Sequence, residues 1–301
     1  MVVNGQIIAP TPVNGPASMI PYPGAGTWFN LSIHVPATGQ EELFILGLPN
    51  SGPSVNAPLL VGFRASNVSH QDVLVHTTFW DECLARGWYF LAPLSHGIAT
   101  QVTTSGSCLN AQLNTEAALK WVTAHYPIDM DRIYGVGFSA GAETLGSYAS
   151  RHLDPADPMF AAIAFHTGPV DNVDVYNQSS VSGKSTLATI FGGTPSTVPF
   201  EYRRVGLLEL DAMQLWVSGG AHAARNLGSI PTQIWYATND QNLQLVQHTT
   251  QLFDWMNLNG LGIVSVHSAV NPDPTGGFHN WTVLDEVQIC DWFELQTRSS
   301  P

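Results

Sequence analysis

The feature that most constrains this chain is the run Gly137-Phe138-Ser139-Ala140-Gly141, between a strand-like stretch at 132–136 and a helix-like pattern at 142–149. A G-x-S-x-G run in this context is typical of a sharp strand-to-helix turn that exposes its serine hydroxyl. Glycines at the first and last positions let strand and helix cross closely, because a Cβ atom would clash there. The run therefore predicts a turn that presents Ser139, the alternative being an ordinary turn serine.

Apolar runs alternate with helical patterns along most of the chain. Short apolar runs and 3.6-residue spacing predict strands at 28–35, 42–48, 59–63, 88–92, 132–136, 161–165, 233–237 and 262–266, and helices at 71–86, 118–125 and 282–296. The first two strands are joined by a short turn and form an antiparallel hairpin. The alternation that follows predicts an α/β protein, with a mostly parallel sheet of about eight strands and helices on both faces.

The 301 residues fit one large domain. Residues 1–26 are rich in Pro and Gly and predict an irregular N-terminal arm, which leaves 27–301 as the domain. An insertion at about 171–230 is far longer than a usual crossover. We expect it to form a lid over the site, or else a decorated surface loop.

The insertion itself has two halves of different composition. Its first half, 177–199, is rich in Ser, Thr, Gly and Pro. Residues 182–186 are similar to the end of a phosphate-binding loop, but Gln178 stands where that motif needs glycine. They are therefore predicted to form a flexible loop. The second half has a helix-capable pattern at 207–216.

Composition excludes several classes of function. A net charge of −13 with ten basic residues disfavours nucleic-acid binding. No apolar run is long enough to cross a membrane. Three cysteines, Cys83, Cys108 and Cys290, allow at most one internal disulfide, and no Cys/His cluster predicts a metal or cofactor site. The start lacks a signal-peptide pattern, yet the lysine-poor composition favours a secreted protein over a cytosolic one.

Two further residues complete a candidate catalytic triad. Nucleophile turns of this type are followed by an acid and then a histidine. Asp240 follows the strand at 233–237, and His279 lies in the loop before the last helix. Asp240 could instead cap a helix, with Asp171 as the acid, and His279 could be a surface residue. His166 is expected beside the site in a supporting role, and His248 on a helix surface.

The segment from Tyr126 to Gly141 resembles secreted α/β-hydrolase esterases of the polyhydroxyalkanoate-depolymerase and feruloyl-esterase type. The resemblance implies an α/β-hydrolase fold, with Ser139 as nucleophile, Asp240 as acid and His279 as base. These esterases usually have His-Gly after the third strand, where this chain has Arg64-Ala65.

Backbone amides are expected to hold the oxyanion of the reaction. One is the amide of Ala140, and the second is that of Ala65 or Ser66. Arg64 either places a cation near the pocket or points to solvent. Phe138 and Trp281 either stack on a flat substrate group or pack in the core.

The sequence thus predicts a serine carboxylic-ester hydrolase acting on small-molecule or polymeric esters, such as extracellular polyesters or aromatic or short-chain esters. Two alternatives stay open. One is a serine peptidase of the prolyl-oligopeptidase-like type. The other is a non-catalytic binding protein on a hydrolase scaffold. The sequence leaves the oligomeric state open.

Overall fold

The computed structural model of the chain describes residues 2–3, 6–7, 27–49, 56–95, 106–262 and 264–298. Its strands are β1 Val2–Val3, β2 Gln6–Ile7, β3 Thr27–Val35, β4 Gln40–Leu48, β5 Ala57–Phe63, β6 Tyr89–Pro93, β7 Ile128–Phe138, β8 Ala162–His166, β9 Thr232–Ala237 and β10 Val264–Ala269. Its α-helices are α1 Asp72–His76, α2 Phe79–Arg86, α3 Leu109–His125, α4 Ala140–Ala149, α5 Asn172–Gln178, α6 Val181–Phe191, α7 Pro199–Arg203, α8 Leu243–Leu258 and α9 Glu286–Glu294.

Eight strands form one sheet in the order β10-β9-β8-β7-β5-β6-β4-β3. The six strands from β10 to β6 are parallel, and β4 runs antiparallel to both of its neighbours. The predicted hairpin and mostly parallel sheet are therefore confirmed. β1 and β2 form a separate antiparallel pair. The rest of the N-terminal arm predicted at 1–26 lies outside the described residues.

Both faces of the sheet are covered, as the alternation along its central strands requires. In β5, Leu59 and Val61 face a core cluster shared with α3, α4 and α8, whereas Leu60 faces a second cluster shared with α2 and α9. β7 alternates in the same way: Ile133 belongs to the first cluster and Tyr134 to the second. Successive strand side chains point to opposite faces, so each central strand supplies both cores.

Two predicted helices differ from the structure in their bounds. The helix expected at 71–86 is two helices, because the Thr77 hydroxyl donates to the Val73 carbonyl and the Phe79 amide donates to the same hydroxyl. These bonds replace the helical ladder at an extended residue. The helix expected at 282–296 is shorter: α9 begins at Glu286, after a 3-10 turn at Trp281–Val283.

In both halves of the insertion, the secondary structure differs from the prediction. The flexible loop predicted at 182–186 lies within α6, whose first turn is capped by the Ser180 hydroxyl and whose end is a left-handed Gly192. Conversely, residues 207–216 form no helix. There the carboxylate of Asp211 accepts the amides of Met213 and Leu215, and such local bonds compete with a helical backbone.

No α-helix among the described residues is long and apolar enough to cross a membrane. Cys83, Cys108 and Cys290 are all buried free thiols.

Candidate active site

Ser139 lies at the turn between β7 and α4, with a backbone φ of 55° and ψ of −125°. A positive φ is rare for a non-glycine residue and marks strain of the kind that active sites retain. The glycines around it allow the turn, as predicted. A Cβ on Gly137 would lie 2.4 Å from the Gly141 carbonyl oxygen, and one on Gly141 would lie 2.1 Å from that of Phe63.

The structure brings the three candidate triad side chains together. His279 Nε2 lies 3.0 Å from Ser139 Oγ, and His279 Nδ1 lies 2.7 Å from Asp240 Oδ2. Both distances are hydrogen-bond lengths. They assign the Nδ1–H tautomer to His279, with Nε2 free to accept from the serine hydroxyl.

The loops that carry Asp240 and His279 are fixed to each other. The Gln241 amide, beside Asp240, donates to the Gly277 carbonyl at 2.9 Å. Gly276, Gly277 and Phe278 all have positive φ, which forms the tight turn before His279. The Asn271 side chain, just after β10, donates to the Phe278 carbonyl at 3.0 Å. These bonds hold acid and base in one geometry.

The alternative acid, Asp171, has other partners. Its carboxylate accepts the backbone amides of Val173 and Asp174 at the start of α5, and that of Leu210. The carboxylate that contacts His279 is therefore that of Asp240, which also accepts the Asn242 amide at 2.7 Å.

The aromatic residues near the triad are buried beneath it. The Phe138 ring lies 4.6 Å from the His279 ring, 4.8 Å from that of His166 and 5.2 Å from that of Trp281, measured between centroids. Burial, with a smaller repulsion from the protonated form of His279, lowers the pKa of His166 to about 3. His166 therefore stays neutral at ordinary pH. Phe138 and Trp281 occupy core positions, so the structure favours packing over substrate stacking for both.

The candidate oxyanion amides come from α4 and from the loop after β5. Ala140 is the first residue of α4, so its amide has no acceptor within the helix. The Ala65 amide instead donates to Asp72 Oδ2 at 3.2 Å, an oxygen that also accepts the Trp281 indole N–H at 2.9 Å. Asp72 thus links the loop after β5 to the loop that carries His279, a role the sequence reasoning missed.

Of the two positions expected for Arg64, the structure excludes the one that points to solvent. Its side chain is buried, and its Nε donates to the Leu94 carbonyl at 2.9 Å. Burial lowers its pKa to about 10, although Glu42 and Asp72 act in the opposite direction. It does not point to solvent, and it is not among the described residues that line the cavity at Ser139.

A cavity of about 580 Å³ opens onto Ser139 and His279. Its lining comes from the loop after β5, from α4, α5 and α6, from the start of α8 and from the segments just before α3 and α5. Besides Ser139 and His279, the described lining residues are Ser66, Asn67, Gly106, Ala140, Glu143, Pro169, Asn172, Val175, Ser179, Ser180, Ser182, Gly183, Thr186, Leu187, Ile190, Asn242, Gln244 and Leu245. Phe138 and Trp281 are not in this set. Residues 172–190 of the predicted insertion therefore border the site.

Glu143 is a cavity residue that the sequence reasoning missed. Burial raises the pKa of its carboxyl to about 7, although hydrogen bonds from Asn172 and Ser107 act to lower it. It lies one helical turn after Ser139, so the i, i+4 spacing in the sequence could have placed it beside the nucleophile. Among the described residues, no group of three or more His, Cys, Asp or Glu side chains is placed to hold a metal ion.

The sequence matches no protein-family model and no curated protein significantly. Solved structures are similar in shape. FphF, a fluorophosphonate-binding serine hydrolase of Staphylococcus aureus, has a TM-score of 0.62 at 12% identity over 90% of this chain and 98% of its own. A ferulic acid esterase has a TM-score of 0.62 at 13% identity over 90% and 97%. An acylaminoacyl peptidase of Pyrococcus horikoshii has a TM-score of 0.63 at 14% identity over 91% of this chain and 42% of its own. The chain therefore has the predicted α/β-hydrolase fold.

Proposed function

We propose that this chain is a serine hydrolase that cleaves carboxylic esters through an acyl-enzyme. The observation that carries the proposal is the continuous hydrogen-bonded series Ser139–His279–Asp240 on a strained turn that opens into a cavity. This arrangement is what a serine nucleophile requires: a base to take its proton and a carboxylate to orient that base.

In the proposed reaction, Ser139 Oγ attacks the ester carbonyl carbon while its proton passes to His279 Nε2. The tetrahedral oxyanion collapses, and the C–O bond to the alcohol breaks as His279 returns the proton to the leaving oxygen. Water then attacks the acyl-enzyme, with His279 as base, and the acid leaves as Ser139 regains its proton. Asp240 stabilises the imidazolium that forms in each step.

The oxyanion is proposed to bind the amides of Ala140 and Ser66. The bond between the Ala65 amide and Asp72 favours Ser66 as the second donor. Loss of one such donor typically raises the barrier by about 3–4 kcal/mol.

The size of the cavity supports a short-chain acyl group or a single aromatic unit, since ligand pockets commonly enclose about 300–1,000 Å³. Extracellular polyester remains within the proposal, and acid release from a polyester film tests it. An extracellular location rests on the lysine-poor composition, and recovery of the native protein from culture supernatant rather than from cells tests it.

The central test measures hydrolysis of 4-nitrophenyl esters of increasing acyl length, together with labelling by a fluorophosphonate. Ser139→Ala should lose labelling and lower kcat/KM by about 10⁴-fold or more, because the nucleophile is absent. Ser196→Ala, a change at a surface serine, serves as the matched control and should keep both. A folded wild type that neither hydrolyses these esters nor takes the label overturns the proposal and leaves the non-catalytic scaffold.

One observation favours amide hydrolysis as a second candidate. The buried carboxyl of Glu143 in the cavity suits the amine of an aminoacyl substrate. Comparing kcat/KM on aminoacyl 4-nitroanilides with that on matched 4-nitrophenyl esters separates the two functions, since a peptidase retains high activity on the anilides.

A further inference from the structure

The active-site cavity has an unusual balance of charge. Its lining residues in the described part of the chain include no Lys, Arg or Asp, and Glu143 is the one carboxyl among them. The only other titratable group there is His279. Among the described lining residues, a ligand therefore meets one carboxyl and no fixed cation.

Glu143 lies close to the reacting centre. It follows Ser139 by four residues on α4, which corresponds to about 6 Å along a helix axis. Both residues line the same cavity. A substrate group a few bonds from the ester carbonyl can therefore reach this carboxyl.

Within the described ranges, the Glu143 carboxyl has no charged partner of opposite sign. Its Oε1 accepts the Asn172 side-chain amide at 2.6 Å, and the Ser107 hydroxyl is a second donor. No ion pair joins Glu143 to a basic side chain within the described ranges. The nearby Cys108 thiol is neutral, since burial raises its pKa.

An ionised carboxylate offers about four acceptor positions, so two donors leave capacity for a ligand. Buried charges are normally paired, because an isolated carboxylate is costly to desolvate. Here the carboxyl is 4% exposed and borders a cavity that admits substrate.

We propose that Glu143 is an ammonium-binding subsite, at which a primary amine of the substrate supplies the missing counter-charge beside Ser139. The inference rests on the proposed hydrolase function, whose substrate class it narrows to amine-bearing esters or amides. The bound ammonium donates to Glu143, and substrates with a carboxylate at the same position are repelled.

A purely structural role for Glu143, as a tie between α4 and α5, makes a different prediction. In Glu143→Gln the side-chain oxygen still accepts from Asn172, while the charge is lost and one acceptor oxygen becomes an NH2 donor. A structural tie then changes the binding of all ligands equally, whereas an ammonium subsite changes the binding of charged ligands selectively.

The test measures inhibition of 4-nitrophenyl butyrate hydrolysis at pH 8 by n-hexylamine, 1-hexanol and hexanoate. In the wild type, hexylammonium should bind about tenfold more tightly than hexanol, a value in the range of charge-assisted hydrogen bonds. In Glu143→Gln that preference should disappear, hexanol should change less than twofold, and hexanoate should bind more tightly. Glu41→Gln, the same change on the exposed part of β4, should alter none of these.

Two results overturn the subsite: a wild type that binds hexylammonium no more tightly than hexanol, or a Glu143→Gln variant that shifts all three ligands in parallel. The wild-type comparison decides even if the variant fails to fold, and Glu143→Met provides a second variant. If the wild type hydrolyses no ester, the hydrolase proposal fails separately, and calorimetric titration of the same three compounds still tests the subsite.

Discussion

Gly141 sets the distance between the nucleophile turn and the loop after β5. Its Cα faces the carbonyl oxygens of Phe63 and Arg64, and an added Cβ would lie 2.1 and 2.5 Å from them. Neither backbone atom can rotate away as a side chain could. The close approach of α4 to this loop therefore depends on the absence of a Cβ at Gly141. The spacing of the two proposed oxyanion amides depends on it too.

We predict that Gly141→Ala lowers kcat by about 100-fold, because a displacement of about 1 Å in a catalytic group has an effect of this size. Ester hydrolysis and urea unfolding measure activity and stability separately. Gly39→Ala is the matched control: its Cβ meets nothing within 4 Å, but its φ of +68° makes the substitution strained. It should lose about 1 kcal/mol of stability and keep kcat. Equal kcat values for the two variants would contradict this account.

The Glu143 carboxyl also links stability to pH. Its pKa in the folded state is about 7, above the ordinary value of 4.5, because burial disfavours the charge. Between these values the native state keeps a proton that the unfolded chain releases. Its contribution to stability is therefore complete below about pH 4.5 and is lost as pH rises through about 7.

We predict that Glu143→Gln is more stable than the wild type at pH 8, by an amount on the order of 3 kcal/mol, and that the difference declines toward pH 4.5. Urea unfolding of both proteins across this range gives the difference curve, in which groups common to both cancel. A difference independent of pH would show that the carboxyl titrates normally in the folded state.

At the scale of elements, the insertion is fastened to α8 through one carboxylate. Asp174 Oδ2, on α5, accepts from Gln214 Nε2 at 2.8 Å, Gln244 Nε2 at 2.8 Å and His248 Nε2 at 2.9 Å. Although burial favours the neutral acid, these bonds lower the pKa of Asp174 to about 2. His248 Nδ1 accepts the Val170 amide at 3.2 Å, so this histidine bridges the insertion and α8.

We predict that Asp174→Ala destabilises the protein by about 2–4 kcal/mol, because the buried His248 donor and the two half-buried glutamine donors lose their acceptor. Trypsin should cleave the variant at Lys184 in α6 under conditions where the wild type resists. Asp254→Ala, an exposed carboxylate of α8, is the control and should behave as the wild type. If Lys184 is cut equally fast in all three proteins, the bonds to Asp174 do not hold the insertion.

The elements that could be predicted from sequence are those whose pattern is local. The strand at β5 is a short run of apolar residues, and its side chains are entirely buried. The elements of the insertion were not predicted from its composition, because α6 depends on its Ser180 cap and on packing against later residues of the insertion, and the local bonds of Asp211 compete with a helix at 207–216. Leu187 and Ile190 of α6 pack against a cluster that includes Tyr202 and Val205. His248 was wrongly placed on a helix surface, since its partner Asp174 lies 74 residues away.

The same distinction applies to the candidate site. Ser139, Asp240 and His279 could be proposed because each follows a recognisable strand or motif in a fixed order. The position of Arg64 could not, since it depends on the Leu94 carbonyl of a neighbouring strand end. Asp72 was missed because the groups it joins, Ala65 and Trp281, are far apart in the chain and meet only in the folded sheet.

At the scale of the whole molecule, the net charge of −13 has the same sign as the Glu143 carboxylate in the cavity. Excess negative charge raises the local concentration of cations and accelerates their association, an effect that salt screens. The Debye length falls from about 30 Å at 10 mM salt to about 3 Å at 1 M.

We predict that kcat/KM for 4-nitrophenyl 6-aminohexanoate falls several-fold over that range of salt, whereas kcat/KM for 4-nitrophenyl hexanoate stays within twofold. The two esters differ only in the terminal amine, so the neutral ester controls for general effects of salt on the enzyme. A parallel decline of both would show that charge does not steer the substrate.

The three buried thiols offer a way to follow how this molecule opens. Cys83 on α2 and Cys290 on α9 belong to the core cluster on one face of the sheet, and Cys108, just before α3, belongs to the cluster beneath α6. An alkylating reagent meets each sulfur only when the surrounding helices separate. Mass spectrometry in native buffer gives the order in which the three thiols are modified. That order shows which face of the sheet opens first and on what timescale.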